Sequence, residues 1–215
     1  MKVKLIAVTK PIIPACETAE GLLAYCARVS NPSNQTNTMT ASRLLKYLVT
    51  HKHWSPFEMA SMTLEITTTR DIARQMLRHR SFSFQEFSQR YAEATEEAVL
   101  REARLQDTHN RQASLPTDDE GLTEWWKDQQ TRCSEMAIIT YKQALSAGIA
   151  KEVARSVLPE GMTVSRLYMA GTIRSWIHYC QLRTEASTQK EHRQVAEACQ
   201  HILLEQFPSL SEILA

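Results

Sequence analysis

The sequence predicts an α+β fold: a mixed or antiparallel sheet with surrounding helices, in a single domain covering 1–215 with helical parts. Three observations lead there. Met62, Leu64 and Ile66 alternate with Thr63, Glu65 and Thr67, the period-two pattern of a half-buried strand. Helical patterns intermingle with such strands but lack the regular alternation of a parallel α/β sheet, so the sheet must be at least partly antiparallel. Hydrophobic residues make up 43% of the 215 positions and charged residues 23%, an ordinary globular balance long enough for one real core.

Taken in order, Val3 to Val8 reads as the first strand, and helical patterns follow from Thr18 to Ala27 and from Thr40 to His51. In the second helix Leu44, Leu45 and Leu48 share a face behind a Thr40 cap. After the alternating strand a helix fits Thr69 to His79, with Ile72, Met76 and Leu77 inward and Arg70, Arg74 and Arg78 recurring every fourth residue on another side. Ser81 to Ser88 suggests a short strand or extended loop, because Phe82 and Phe84 alternate with serines. Polar sequence runs on to Glu120, and Pro116 to Gly121 is the best candidate for a mobile loop. Thr123 to Ala147 is predicted as a long helix with Trp126, Cys133, Met136, Ala137 and Thr140 along its inner side and Gly148 as its stop. A short helix from Lys151 to Leu158 ends at Pro159, and Val164 to Ala170 is a further strand. Thr172 is placed to cap a helix that carries Ile173, Trp176, Ile177 and Cys180 on its apolar face, and a last helix runs from about Gln189 to Phe207. No internal repeat is visible.

The bulk properties exclude several classes. No run approaches the roughly 18 apolar residues of a membrane span, and the start lacks the apolar stretch of a secretory leader, so a cytoplasmic protein is expected. The five cysteines are odd in number, dispersed and never in a Cys-x-x-Cys pair, which argues against a disulfide framework or zinc ribbon. A net charge of +1 gives no global reason to expect nucleic acid. Only five glycines occur, and none forms a phosphate-binding Gly-rich loop, so any nucleotide is held some other way.

Positive charge is concentrated between Arg70 and Arg90, where five arginines and His79 face only Asp71 and Glu86. Guanidinium groups offer paired donors shaped for phosphate and carboxylate, and they crowd together cheaply only around anions. On charge alone the stretch fits a solvated arginine face with i,i+4 acid partners better. The order of residues adds more: Arg78-His79-Arg80-Ser81-Phe82-Ser83-Phe84-Gln85-Glu86-Phe87-Ser88-Gln89-Arg90. It resembles the signature of flavin-dependent thymidylate synthases, matched at Arg78, His79, Arg80, Ser83, Glu86, Ser88 and Arg90, with Gln85 where that family usually has Asn. His53 to Glu58, Glu152 to Pro159 and Arg174 to Arg183 are similar to further family motifs, so that the resemblance covers most of Val49 to Gln189. Thr172 stands where an Asn is usual.

The resemblance implies reductive methylation of dUMP to dTMP, with FAD as cofactor, NADPH as reductant and methylene-tetrahydrofolate as carbon donor, and without a covalent protein nucleophile. It implies FAD contacts from Ser55, Arg78, His79, Arg80, Glu86, Thr172, Arg174 and His178. It implies dUMP contacts from Gln75, Arg78, Glu86, Ser88, Gln89, Arg90, Arg155 and Arg183, with Arg183 catalytic. Members are homotetramers whose sites are shared between subunits, so no complete site is expected in one segment. Neither a metal, nor a nucleic acid, nor a membrane is implied as a partner.

Other readings stay open at this point. His51, His53 and Glu58 could meet at a metal, although their spacing matches no standard zinc or iron motif. A cysteine nucleophile is a second option, but most of the five fall on or beside apolar helix faces, where a buried thiol packs as a small hydrophobe. A nucleotide or nucleic-acid binding module would use the same arginines as a phosphate clamp and would be colourless. Phe82, Phe84, Phe87, Trp176 and Tyr179 fit either core packing or the dry walls of a flavin site.

Overall fold

The computed structural model describes residues 1–214. Its centre is a four-stranded sheet in the order β1-β2-β6-β3, made of β1 (Lys2–Val8), β2 (Ser61–Thr69), β6 (Val164–Thr172) and β3 (Ser83–Glu86). Every pairing in it is antiparallel, which settles the mixed-or-antiparallel expectation. The two central strands pair over nine residues, from Ser61 opposite Thr172 to Thr69 opposite Val164. Alternation does what the sequence predicts: Met62, Leu64 and Ile66 of β2 are fully buried with Leu167 and Met169 of β6. A register shift between Leu5 and Ala7 turns Ile6 of the edge strand β1 outward.

The helices are α1 (Ala19–Ala27), α2 (Ala41–Thr50), α3 (Arg70–Met76), α4 (Glu120–Ser146), α5 (Lys151–Ala154), α6 (Ile173–Arg183), α7 (Lys190–Gln206) and α8 (Ser211–Leu214). One hydrophobic cluster joins the inner sheet face to α1, α2, α3, α6, α7 and the chain's end, with Trp176 and Tyr179 among its largest members. Thr18 caps α1, accepting from the Gly21 N–H at 3.0 Å. Thr40 takes the N-cap position of α2 but makes no capping bond, because its hydroxyl accepts instead from the buried Arg28 Nη2 at 2.7 Å.

Three further expectations change. The helix after β2 stops at Met76, and Arg78 to Ser81 form a turn, so the arginine stripe continues off the helix and onto a loop. The polar stretch holds a small hairpin, β4 (Arg104–Gln106) with β5 (Ser114–Pro116), too short to leave a clear alternation. In α4 the buried side chains are Gln130, Ser134 and Tyr141, whereas Trp126, Cys133, Met136 and Thr140 face outward. Polar residues line the inner face because α4 packs on loop backbone: Gln130 bonds the main chain of Arg101 both ways at 2.8 Å. Gly148 ends α4 as predicted, at φ +82°, with its N–H on Leu145 O and the Ile149 N–H on Ala144 O.

Candidate functional site

Many of the residues expected to bind ligand gather towards the two ends of β6. At its C-terminal end, Ser61 pairs with Thr172 and the Ile173 N–H bonds Ala60 O at 3.0 Å, which lays the single 3-10 turn Ser55–Glu58 beside the start of α6. Thr172 caps that helix, accepting from the Ser175 N–H at 3.4 Å. Arg174 donates to Glu58 Oε1 at 2.6 Å, and the rings of Trp54 and His178 meet edge to face at 4.5 Å. Burial, then the Arg174 charge, pushes the His178 imidazole below its usual range, with Glu58 opposing.

The Arg78–Ser81 turn lies along α6, with Ser81 at the helix start and His79 at its last turn. Ser175 Oγ donates to Ser81 O at 3.3 Å, and Phe82 packs edge to face on Trp176 at 4.8 Å. Gly171 makes the second contact possible, since a Cβ there would stand 2.5 Å from Phe82 Cδ1. Arg70, Arg74 and Arg90 pair with Glu86, Glu160 and Glu152, whereas Arg78 and Arg80 are exposed and form no ion pair among the described residues.

His79, between them, is half buried and accepts a 3.0 Å hydrogen bond at Nε2 from Arg183 Nε in the last turn of α6. Burial, reinforced by the Arg183 charge, lowers its pKa to about 4, so the ring is neutral with its proton on Nδ1. Tyr179 stands edge-on to His79 at 5.0 Å and touches the buried His192 through its hydroxyl, 3.2 Å from Nε2. His192 Nδ1 in turn lies 3.3 Å from Gln75 Oε1.

Ser88, Arg90 and Glu152 lie at the other end of β6, around an open depression of ≈ 550 Å³ shared with Tyr91, Ala150 and Lys151. Arg90 is held by Glu152 at 3.2 Å, and Arg155 follows one turn later, half buried. Glu86 accepts from Ser165 Oγ at 2.6 Å and lies 3.5 Å from Arg70. Gln89 is 3% exposed, and its Nε2 is the one buried side-chain polar atom without a partner among the described residues. A separate cavity of ≈ 330 Å³, lined by Met1, Thr68, Arg101 and Lys190 among others, contains none of the expected binding residues.

Of the aromatics, Phe82, Trp176 and Tyr179 are core residues, while Phe84 and Phe87 are only half buried. Cys16, Cys180 and Cys199 are buried, and burial raises these thiols and Cys26 away from the reactive thiolate, Cys180 to about 12. His51 stacks on Tyr47 at 3.9 Å and Glu58 serves Arg174, so the histidines and Glu58 have other partners. The sequence did not single out Glu58 as the anchor of Arg174 or His192 as the link between Gln75 and Tyr179. His192 shares the buried face of α7 with Val195 and Cys199, a spacing that gives its burial but not its partners.

Guanidiniums without an ion pair among the described residues, a neutral imidazole tied to a further arginine and a buried amide without a partner make a donor set suited to an anionic, nucleotide-like ligand. The chain belongs to the family described as thymidylate synthase complementing protein, whose model matches residues 11–209. It is 54% identical over 214 residues to a probable flavin-dependent thymidylate synthase of Paramecium bursaria Chlorella virus 1, covering 100% of this chain and 99% of that protein. It is 51% identical over 217 residues to the flavin-dependent thymidylate synthase of Synechocystis sp., with the same coverage. Among solved structures, it resembles the UMP/dUMP methylase PolB of Streptomyces cacaoi bound with 5-Br dUMP, at TM-score 0.81 and 28% identity over 98% of this chain and 93% of the other.

Proposed function

We propose that this protein is a flavin-dependent thymidylate synthase that converts dUMP to dTMP. The observation that carries the reading is the Arg78-His79-Arg80 turn along α6, where two guanidiniums without an ion pair among the described residues flank a neutral imidazole bound to Arg183. Such a donor set fits the FAD pyrophosphate without a Gly-rich loop. Ser55, Arg78, His79, Arg80, Glu86, Thr172, Arg174 and His178 would hold FAD. Gln75, Arg78, Glu86, Ser88, Gln89, Arg90, Arg155 and Arg183 would hold dUMP, and the unpartnered Gln89 amide has donors to spare for it.

Bound FAD supplies the hydride and methylene-tetrahydrofolate the carbon, with NADPH as the source of reducing equivalents. The protein's own work is positional and electrostatic. Arg90 and Arg155 neutralise the nucleotide phosphate, and Ser88 orients dUMP as a hydroxyl donor rather than as a nucleophile. Arg183 is fixed at Nε by His79, which leaves its terminal nitrogens to stabilise negative charge developing on the uracil ring. With His79 neutral, the partner at Arg183 Nε does not offset the guanidinium charge.

The same layout supports a homotetramer with shared sites. Leu167, opposite Glu86, and Thr172, beside the cofactor residues, are five strand positions apart, about 17 Å at the usual rise per residue. The outward face of α4 exposes Trp125, Trp126, Met136 and Ile139, a stripe suited to a second copy of the chain. We read 1–215 as one domain, supported by a hydrophobic cluster that runs from Ala19 to Leu214. Among the described residues no helix is long and apolar enough to cross a membrane, and we place the protein in the cytoplasm. Purified protein that forms dTMP from dUMP only with flavin, folate and NADPH tests the reading; a colourless, inactive protein that binds polynucleotide would favour the phosphate-clamp alternative.

A further inference from the structure

Behind His79 a chain of side-chain hydrogen bonds runs through Glu191, Gln189, Gln75, His192 and Tyr179, and each link fixes the polarity of the next. Glu191 takes a hydrogen bond from Arg104 Nη2 and lies 3.5 Å from Arg101. Burial alone would raise its pKa, but the Gln189 amide, a backbone N–H and the two arginines outweigh burial and hold it lowered, so it is an ionised acceptor. Gln189 must therefore give it an N–H, from Nε2 to Oε2 at 2.9 Å. That turns Gln189 Oε1 toward Gln75, whose Nε2 donates to it at 2.8 Å. Gln75 then offers Oε1 to His192, so His192 carries its proton on Nδ1, at 3.3 Å, and accepts at Nε2 from the Tyr179 hydroxyl at 3.2 Å. His192 is 0% exposed. Burial, then the charges of Arg183 and His79, lowers its pKa to about 4, which keeps the ring neutral and the chain's direction fixed.

We propose that His192 is a positioning residue for nucleotide binding: its Nδ1–H locks the Gln75 amide so that the second Gln75 N–H, and not its carbonyl, faces the nucleotide. The proposal rests on the reading of Gln75 as a dUMP contact. Uracil O2 and O4 and the phosphate oxygens are acceptors, which the amide's nitrogen side recognises, whereas the uracil N3–H and the sugar hydroxyl would call for the carbonyl side, which His192 occupies. Without a donor at position 192 the amide keeps only its bond to Gln189 Oε1, and its carbonyl, left without a partner, is no longer held away from the nucleotide. His192 does this from within the core, and its contact with Tyr179 links it to the ring that packs on His79.

The test is calorimetric titration of dUMP into the FAD-loaded protein. H192L is expected to weaken dUMP about tenfold, or about 1.4 kcal/mol, with FAD content unchanged. H192N puts an amide N–H near the place of Nδ1 and is expected to restore affinity to within about threefold of wild type. In a Q75A background H192L should have no further effect on dUMP affinity. If H192L does not fold, H192N is compared with H192Q, whose longer amide reaches Tyr179 rather than Gln75; retained affinity in H192Q and loss in H192N would overturn the proposal. Weakened binding in Q75A beside wild-type binding in H192L would also overturn it while leaving the role of Gln75 intact. Wild-type binding in Q75A would remove the reading of Gln75 and the proposal together.

Discussion

Arg183 Nε donates to His79 Nε2 at 3.0 Å, joining the last turn of α6 to the turn after α3 across 104 residues of sequence. The bond needs a lone pair on the imidazole, so it exists only while His79 is neutral, and the pKa of about 4 keeps it so near neutral pH. An arginine held through Nε alone is oriented, yet still has its other donors available.

The first prediction follows from that geometry. Arg183→Ala should lower dTMP formation about 10²- to 10³-fold, the range for a lost oxyanion-type donor, with FAD content unchanged. Arg183→Lys should rescue little, because a lysine has no equivalent of the Nε–H that His79 receives. Steady-state rates at saturating dUMP and folate, beside flavin absorbance, check both.

Stability should fall on acidification between pH 6.5 and about 4. His79 and His192 have folded pKa values near 4, below the unfolded value of 6.5, so in that window the unfolded chain binds more protons. Their contribution is complete above pH 6.5, declines as pH falls to about 4 and does not change further below that. Melting temperatures across this range should drop in the wild type, and His79→Asn should drop less steeply; parallel slopes would separate His79 from the effect.

Gly171→Ala should destabilise the protein by about 1–3 kcal/mol, the usual cost of overpacking. The new methyl would meet the Phe82 ring, whose position sets the Arg78–Ser81 turn over α6, so flavin retention should fall with the melting temperature. Phe82→Leu in the same chain should recover part of both, measured by thermal melts and flavin absorbance.

Met136→Glu on the outward face of α4 should dissociate the proposed tetramer with little loss of secondary structure, because the residue is 65% exposed in the chain. Light scattering should then show smaller species that have lost FAD and activity together. An active, FAD-loaded monomer would refute shared sites.

How far the sequence reaches depends on whether a feature is local. The alternation of Met62, Leu64 and Ile66 and the stop at Gly148 reflect each residue's own backbone and face, and both are found where expected. The inner face of α4 was not legible, because Gln130 and Tyr141 are buried by hydrogen bonds to loop residues Arg101 and Ala94 rather than by an apolar seam. Thr40 reads as a cap until Arg28, 12 positions away, takes its hydroxyl. Candidate site residues stand out in the sequence where they form a motif, as from Arg78 to Arg90. The links Arg183 to His79 and His192 to Gln75 span 104 and 117 positions, and no local pattern reports them.

The most direct test is to assay the purified protein for dTMP formation from dUMP, methylene-tetrahydrofolate and NADPH while recording its flavin spectrum. The expected result is a yellow protein that makes dTMP in step with NADPH oxidation and stops when FAD is stripped. Full dTMP formation by protein without flavin, or a flavin-loaded protein that forms no dTMP with all substrates present, would contradict it.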